Sequence, residues 1–377
     1  MGIQLFVPKF DTEACLEEIR ECLDRGWTGM GFKTLELEEK WKEYTGLENA
    51  YYLNSSTSGL YMCFDLFKME FSWDDETEVI TTPLTFITTN HAIMQAGLKP
   101  VFADVDDTLC LDPQSVRERI TDKTKALIYV GMGGNTGHYD EIVSICKEKG
   151  LVLILDAAHM AGTRLRGEIP GKEADVVVYS FQAVKNLPTA DSGMICFRDK
   201  KFDEMARKYA WLGINKDTYT RTGAGGNYKW KYDVEYVGNK YHGNSVIASI
   251  GLVQLRHLDD DNAYRNKIAG IYTDAFAPYK DKIGLVTVPE DCNTSRHLFQ
   301  IIVENRDELL TFLNSRDIFP GVHYIDNTDY RMYNYAQGTC PRAKYYSDHI
   351  LSLPLHLNLS EEDAKTVADA VIEFVTQ

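Results

Sequence analysis

The chain has 377 residues, 44% of them hydrophobic, and a formal net charge of −16. That length supports a large α/β domain with a smaller companion, and so acidic a chain is a poor fit for nonspecific nucleic-acid binding. No run of 18 or more apolar residues and no opening signal sequence is present, so neither a membrane partner nor export is expected, and the expected location is cytoplasmic. The eight cysteines form no CxxC pair. They read as reduced core residues, with no metal site expected.

Residues 11–25 have helical spacing, with Asp11 as the N-cap and Gly26 as the stop. The following GWTGMG stretch precedes another helical run that ends at Gly46. Residues 50–53 read as a short strand that leads into Asn54-Ser55-Ser56-Thr57-Ser58 and an apolar helix. Small hydroxyl residues opening a helix combine free N–H groups with the positive dipole end, which suits an anion. Strands are expected at 78–83, 99–104 and 125–130. Helices are expected at 112–120 and at 140–149, the latter capped by Asp140. This alternation predicts a mostly parallel sheet.

Residues 151–198 carry the densest chemistry. Three short apolar runs, 151–155, 175–181 and 194–197, suit strands covered on both faces. Asp156 ends the first run, Ser180 lies at the end of the second, and Lys185 lies on the next loop. Ligands of open α/β sheets sit at the carboxyl ends of strands. A lysine amine, a carboxylate and a hydroxyl placed there fit pyridoxal 5'-phosphate, which needs an amine for its aldehyde, an acid beside its ring nitrogen and donors around its phosphate. No G-x-G-x-x-G follows an early strand, which argues against a nicotinamide dehydrogenase.

Residues 211–240 are aromatic-rich and long for a loop. Arg221 and the lysines there offer a local basic patch for a nucleotide diphosphate. A helix is expected at 245–260. From about residue 263 the pattern becomes a small α+β unit: a helix to 279, a strand at 285–288, a further strand and helix, and a last helix.

The motifs DAAHMAG (156–162), YSFQAVKNL (179–187) and ADSGMI (190–195) resemble those of the DegT/StrS-like sugar aminotransferases. The resemblance extends over nearly the whole chain through PVFADVD, NKYHGN, VHY and SLPLH. It implies a fold-type-I pyridoxal-phosphate transferase: a large cofactor-binding α/β domain over residues 1–258 and a small α+β domain over 259–377. It implies Lys185 as the catalytic Schiff-base lysine and Asp156 as the partner of the ring nitrogen. Ser56, Thr57 and Ser180 would hold the phosphate, Phe86 would stack on the ring, and His159 would bond the ring hydroxyl. Lys240 would reach the cofactor phosphate of a partner subunit across a homodimer interface. Thr28, Tyr241, His242, Arg221 and His323 are the expected substrate contacts.

Several positions depart from the family wording. Ser56 stands for a glycine, His242 for an arginine and Gly243 for a methionine. The loop VGMGGNT (130–136) lacks the usual His and Pro. The expected reaction is transfer of an amino group from an amino acid, glutamate by resemblance, to a nucleotide-linked 4-keto-6-deoxy sugar. The alternatives are a 3-keto sugar nucleotide or a cyclitol as acceptor, a sugar 3-dehydratase, and a non-catalytic regulator. Lys185 argues against the dehydratase, because those relatives carry His at that position.

Overall fold

The computed structural model describes residues 2–215 and 232–377. Its centre is a seven-stranded sheet built from β1 (Asn49–Leu53), β2 (Glu78–Thr81), β3 (Lys99–Phe102), β4 (Thr124–Val130), β5 (Val152–Asp156), β6 (Val176–Ser180) and β7 (Gly193–Phe197). The strand order is β1-β7-β6-β5-β4-β2-β3. Neighbours run parallel except at β7, which is antiparallel to both β1 and β6. The five residues of β6 are all buried, as expected of a central strand covered on both faces. On one face Trp41 meets Tyr179 and Phe181 edge-on, with ring centroids 4.8 and 5.0 Å away.

The strands of this sheet fall where the apolar runs put them, to within a residue or two at their ends. The helix expected at 140–149 begins one residue earlier, at Tyr139. Asp140 does not cap it; its carboxylate pairs instead with Arg166 at 2.7 Å. Asp11 does cap its helix, accepting from Ala14 N.

A three-stranded antiparallel sheet follows: β8 (Gly284–Leu285), β9 (Phe299–Ile302) and β10 (Ile350–Leu353). β8 stops short of the expected 285–288 because Thr287 N turns away to bond Asp107 O. The two helices expected at 245–260 and 263–279 form one helix, Ser245–Phe276. Its buried face runs through Leu258, Asn262 and Arg265, so the acidic run 259–261 lies on an unbroken helix and does not end it. The division expected between residues 258 and 259 therefore falls inside a continuous helix. That helix packs on Thr12–Asp24 and Phe32–Thr45 and also on the last helix, Glu361–Thr376. The N-terminus joins the far end of the chain, with Ile3 and Gln4 paired parallel to Ile318 and Phe319.

Asp104 ties the two parts together. Its buried carboxylate accepts from Arg342 N (2.9 Å) and Ala343 N (2.7 Å), the first turn of the helix Pro341–His349. The same carboxylate accepts from Val105 N.

Candidate active site

A cavity of about 480 Å³ opens at the carboxyl ends of β5 and β6. Asp156, Lys185, Ser180, Ser56, Thr57, Phe86, His159 and His323 all line it. Asp156 is the last residue of β5. Its carboxylate accepts from Thr89 Oγ1 (2.8 Å) and from Ala158 N (3.2 Å). Burial pushes its pKa up; Thr89, the Ala158 amide and the charge of Lys185 pull it back.

Lys185 sits in a tight turn after β6, its N–H donating to Gln182 O at 2.8 Å. The next residue anchors that turn, since Asn186 Nδ2 donates to Asn262 Oδ1 and Ser295 O, both at 2.7 Å. Removal from water draws the Lys185 amine down to about 8, with Asp156 opposing the shift. Among the described residues its amine has no ion-pair partner within bonding distance. An amine whose pKa is drawn down toward neutrality is more often unprotonated there than an ordinary lysine, and the unprotonated form is the nucleophile for an aldehyde.

The helix Ser56–Phe71 starts at the cavity. Ser55 is its N-cap, with Oγ accepting from Ser58 N at 3.1 Å. Ser56 and Thr57 are the first two helical residues, so their N–H groups lack intrahelical acceptors and face an anion site. The helix can approach the sheet this closely because residue 193 is glycine: a Cβ there would lie 2.6 Å from Ser56 N. Ser56 itself lies in the regular first turn, so this helix start does not depend on a glycine at that position.

Phe86 is the N-cap of the next helix and is 57% exposed at the cavity. The ring centroid lies 6.0 Å from that of Tyr324. An exposed aromatic face in a cavity offers a flat ligand a stacking surface.

The loop 130–136 has a physical reason for its composition. A Cβ on Gly131 would lie 2.0 Å from Met160 Sδ, so the thioether occupies the space a side chain would take. Gly133 N donates to His159 Nδ1 at 3.2 Å.

Other expected residues lie elsewhere. Thr28 is exposed and offers its carbonyl to Ser245 N. The Lys240 ammonium stands 5.4 Å from the centre of the Trp211 ring, and His242 packs edge-on to the same ring at 4.6 Å. Tyr241 exchanges backbone bonds with Asn54 and Ala210. None of the four lines the cavity of its own chain. Arg221 lies outside the described residues.

Thr89, Gln182, Asp191, His297 and Tyr324 join the site without having been singled out from sequence. His297 lies two residues before the strand Phe299–Ile302, in a segment that carries no motif to single it out. It is buried, with its ring centroid 4.3 Å from that of His159.

These groups fit pyridoxal 5'-phosphate. A desolvated amine, a buried carboxylate, an open aromatic face and unpaired N–H groups at a helix start are all presented to one cavity. When bound, the cofactor supplies an electron sink for amine transfer.

Comparison with known proteins agrees. The model of the DegT/DnrJ/EryC1/StrS aminotransferase family matches residues 10–372. The dTDP-4-dehydro-2,3,6-trideoxy-D-glucose 4-aminotransferase of Saccharopolyspora spinosa is 31% identical, over 97% of this chain and 95% of that protein. The crystal structure of the aminotransferase TlmJ from Streptoalloteichus hindustanus superposes with a TM-score of 0.91 at 30% identity, covering 100% of this chain and 99% of that one. A putative sugar aminotransferase of Streptococcus pneumoniae, solved in its PLP form, superposes with a TM-score of 0.88 at 27% identity, covering all of both chains. With the cavity at the strand ends and the match over almost the full length, this chain belongs to the DegT/DnrJ/EryC1/StrS family and is a pyridoxal-phosphate-dependent sugar aminotransferase.

Proposed function

We propose that this enzyme transfers an amino group from glutamate to carbon 4 of a nucleotide-linked 4-keto-6-deoxy sugar. The observation that carries the reading is the placement of the Lys185 amine and the Asp156 carboxylate in one cavity, joined by the full-length similarity to a 4-aminotransferase of a dTDP-sugar. Lys185 Nζ would hold the cofactor at its aldehyde carbon. The same nitrogen would serve as the acid and base that takes up and returns the proton of the amine-bearing carbon. Asp156 holds a proton on the ring nitrogen, helped by Thr89, which orients the carboxylate. Ser56, Thr57 and Ser180 take the phosphate, and Phe86 covers one ring face and excludes water there.

The active unit in this reading is a homodimer. Lys240, which does not line the cavity of its own chain, serves the phosphate of the partner subunit as a cation. Tyr241, His242, Thr28 and Arg221 contribute to the sugar-nucleotide side, with His323 inside the cavity. Carbon 4 is preferred over carbon 3 because relatives with K-Y or N-Y-R at this segment mostly aminate carbon 4. A difference of one ring position is a shift of only about an ångström or two in pose, enough to change rates about a hundredfold.

The test is incubation of the enzyme with glutamate and, separately, 4-keto and 3-keto 6-deoxy sugar nucleotides, with the aminated carbon read by NMR. Turnover of the 3-keto sugar alone would refute the assignment. Sedimentation reports the assembly, and an active monomer would refute the shared site.

A further inference from the structure

The family resemblance assigns the cofactor's ring hydroxyl to His159. The hydrogen bonds around His159 point to a different residue. Gly133 N–H donates to His159 Nδ1 at 3.2 Å. A backbone amide has fixed polarity, so Nδ1 is an acceptor and carries no proton, whatever the choice of side-chain hydrogens. Burial and the nearby charges of Lys185 and His323 hold His159 well below its ordinary range, so the ring is neutral. Its one proton is therefore on Nε2. That atom lies 3.2 Å from Tyr324 Oη, so Nε2–H donates and the phenol oxygen accepts.

The consequence falls on Tyr324. Burial and the Asp156 carboxylate push its pKa up, so the phenol keeps its proton. Its oxygen is already accepting from His159, and among the described residues it has no second protein partner. Tyr324 lines the cavity, so the hydroxyl proton is available to a ligand there. The second buried imidazole cannot rearrange this. Asn186 spends its Nδ2 on Asn262 and Ser295, which leaves Oδ1 to accept from His297 Nδ1 at 3.1 Å. Both histidines are thus locked as single tautomers by groups outside the cavity.

Sheet order says which part of the cofactor this wall meets. Asp156 ends β5 and holds the ring nitrogen. Ser180 of β6 and Ser56-Thr57, packed against Gly193 of β7, lie to one side of it. Gly133, which holds His159, follows β4 on the other side. With the nitrogen at Asp156, the aldehyde carbon at Lys185 and the phosphate on the β6–β7 side, the edge of the ring that bears the hydroxyl faces β4.

We propose that Tyr324 donates the hydrogen bond to the cofactor's ring oxygen, and that His159 is a positioning residue that aims Tyr324 and does not itself touch that oxygen. The proposal rests on the cofactor placement given above. Its physical effect is on proton balance. The ring oxygen is a bare anion when the linkage nitrogen between Lys185 and the cofactor loses its proton, and a donor there favours that state.

The test uses the cofactor-loaded enzyme and the pH midpoint of its visible absorbance change. Losing a charge-assisted donor should raise the midpoint in Tyr324→Phe by about one to two pH units. His159→Leu, which leaves Tyr324 in place but unaimed, should raise it by less. An unchanged midpoint in Tyr324→Phe overturns the proposal. So does a shift in His159→Leu equal to or larger than that in Tyr324→Phe, since His159 would then be the direct contact. Failure of the wild-type protein to develop a visible band with pyridoxal phosphate would instead refute the cofactor placement itself.

Discussion

Replacing Lys185 by methionine should make the cofactor-free protein more stable at neutral pH, and the size of the gain should depend on pH. Folding takes the amine from an ordinary value of 10.5 down to about 8 by removing it from water. At ~1.4 kcal/mol per pH unit this is roughly 3 kcal/mol of destabilisation when both states are protonated. Lys185 is only partly buried and lines the open cavity, which brings the expectation to about 2 kcal/mol. Between about pH 8 and 10.5 the unfolded chain still binds the proton while the folded protein has released it, so wild-type stability rises with pH across that window. Below 8 the cost is present in full; above 10.5 it is gone. Methionine carries no such charge, so urea unfolding should show Lys185→Met ahead by about 2 kcal/mol at pH 7, with the lead shrinking by about that amount by pH 10.5. Other groups titrate in both proteins and cancel in the difference. A lead that is the same at pH 7 and pH 10.5 would refute the reasoning, because it would then come from packing and not from the buried charge.

Asp156→Asn keeps the shape of the acceptor for Ala158 N but loses the charge facing the ring nitrogen. Cofactor affinity, measured by spectrophotometric titration, should fall about 10- to 100-fold, and an unchanged affinity would remove Asp156 from that role. Gly131→Ala places a Cβ 2.0 Å from Met160 Sδ, an overpacking that should cost about 1–3 kcal/mol in thermal or urea unfolding. Adding Met160→Ala should return part of that loss, and no recovery would show that the glycine serves another purpose. Asp104→Ala orphans the amides of Val105, Arg342 and Ala343. It should cost about 2–4 kcal/mol, combining a lost helix cap with buried donors left unpaired. Asp104→Asn, which retains one oxygen, should cost less, with urea midpoints as the readout.

What the sequence alone determined was local or short-range. Apolar runs of strand length marked β5, β6 and β7, because a strand buried on both faces has to be apolar throughout. Asp156, Ser180 and Lys185 were legible as a group because each follows closely on a strand whose carboxyl end is where a ligand sits. The anion-binding start of the helix Ser56–Phe71 was legible for a similar reason: capping is a contact between neighbours in the chain.

What tertiary structure decided was every pairing across the chain. Asp140 looks like a cap by position, yet Arg166 takes its carboxylate. The pattern reads as two helices that part near residue 260, yet Leu258, Asn262 and Arg265 on the buried face keep one helix whole. Thr89 on Asp156, Gly133 and Tyr324 on His159, and Asn186 on His297 join residues of six separate segments. No periodicity announces such bonds. Which acceptor a buried donor finds depends on which loops the sheet order brings together, and for buried groups that choice also sets where each proton resides.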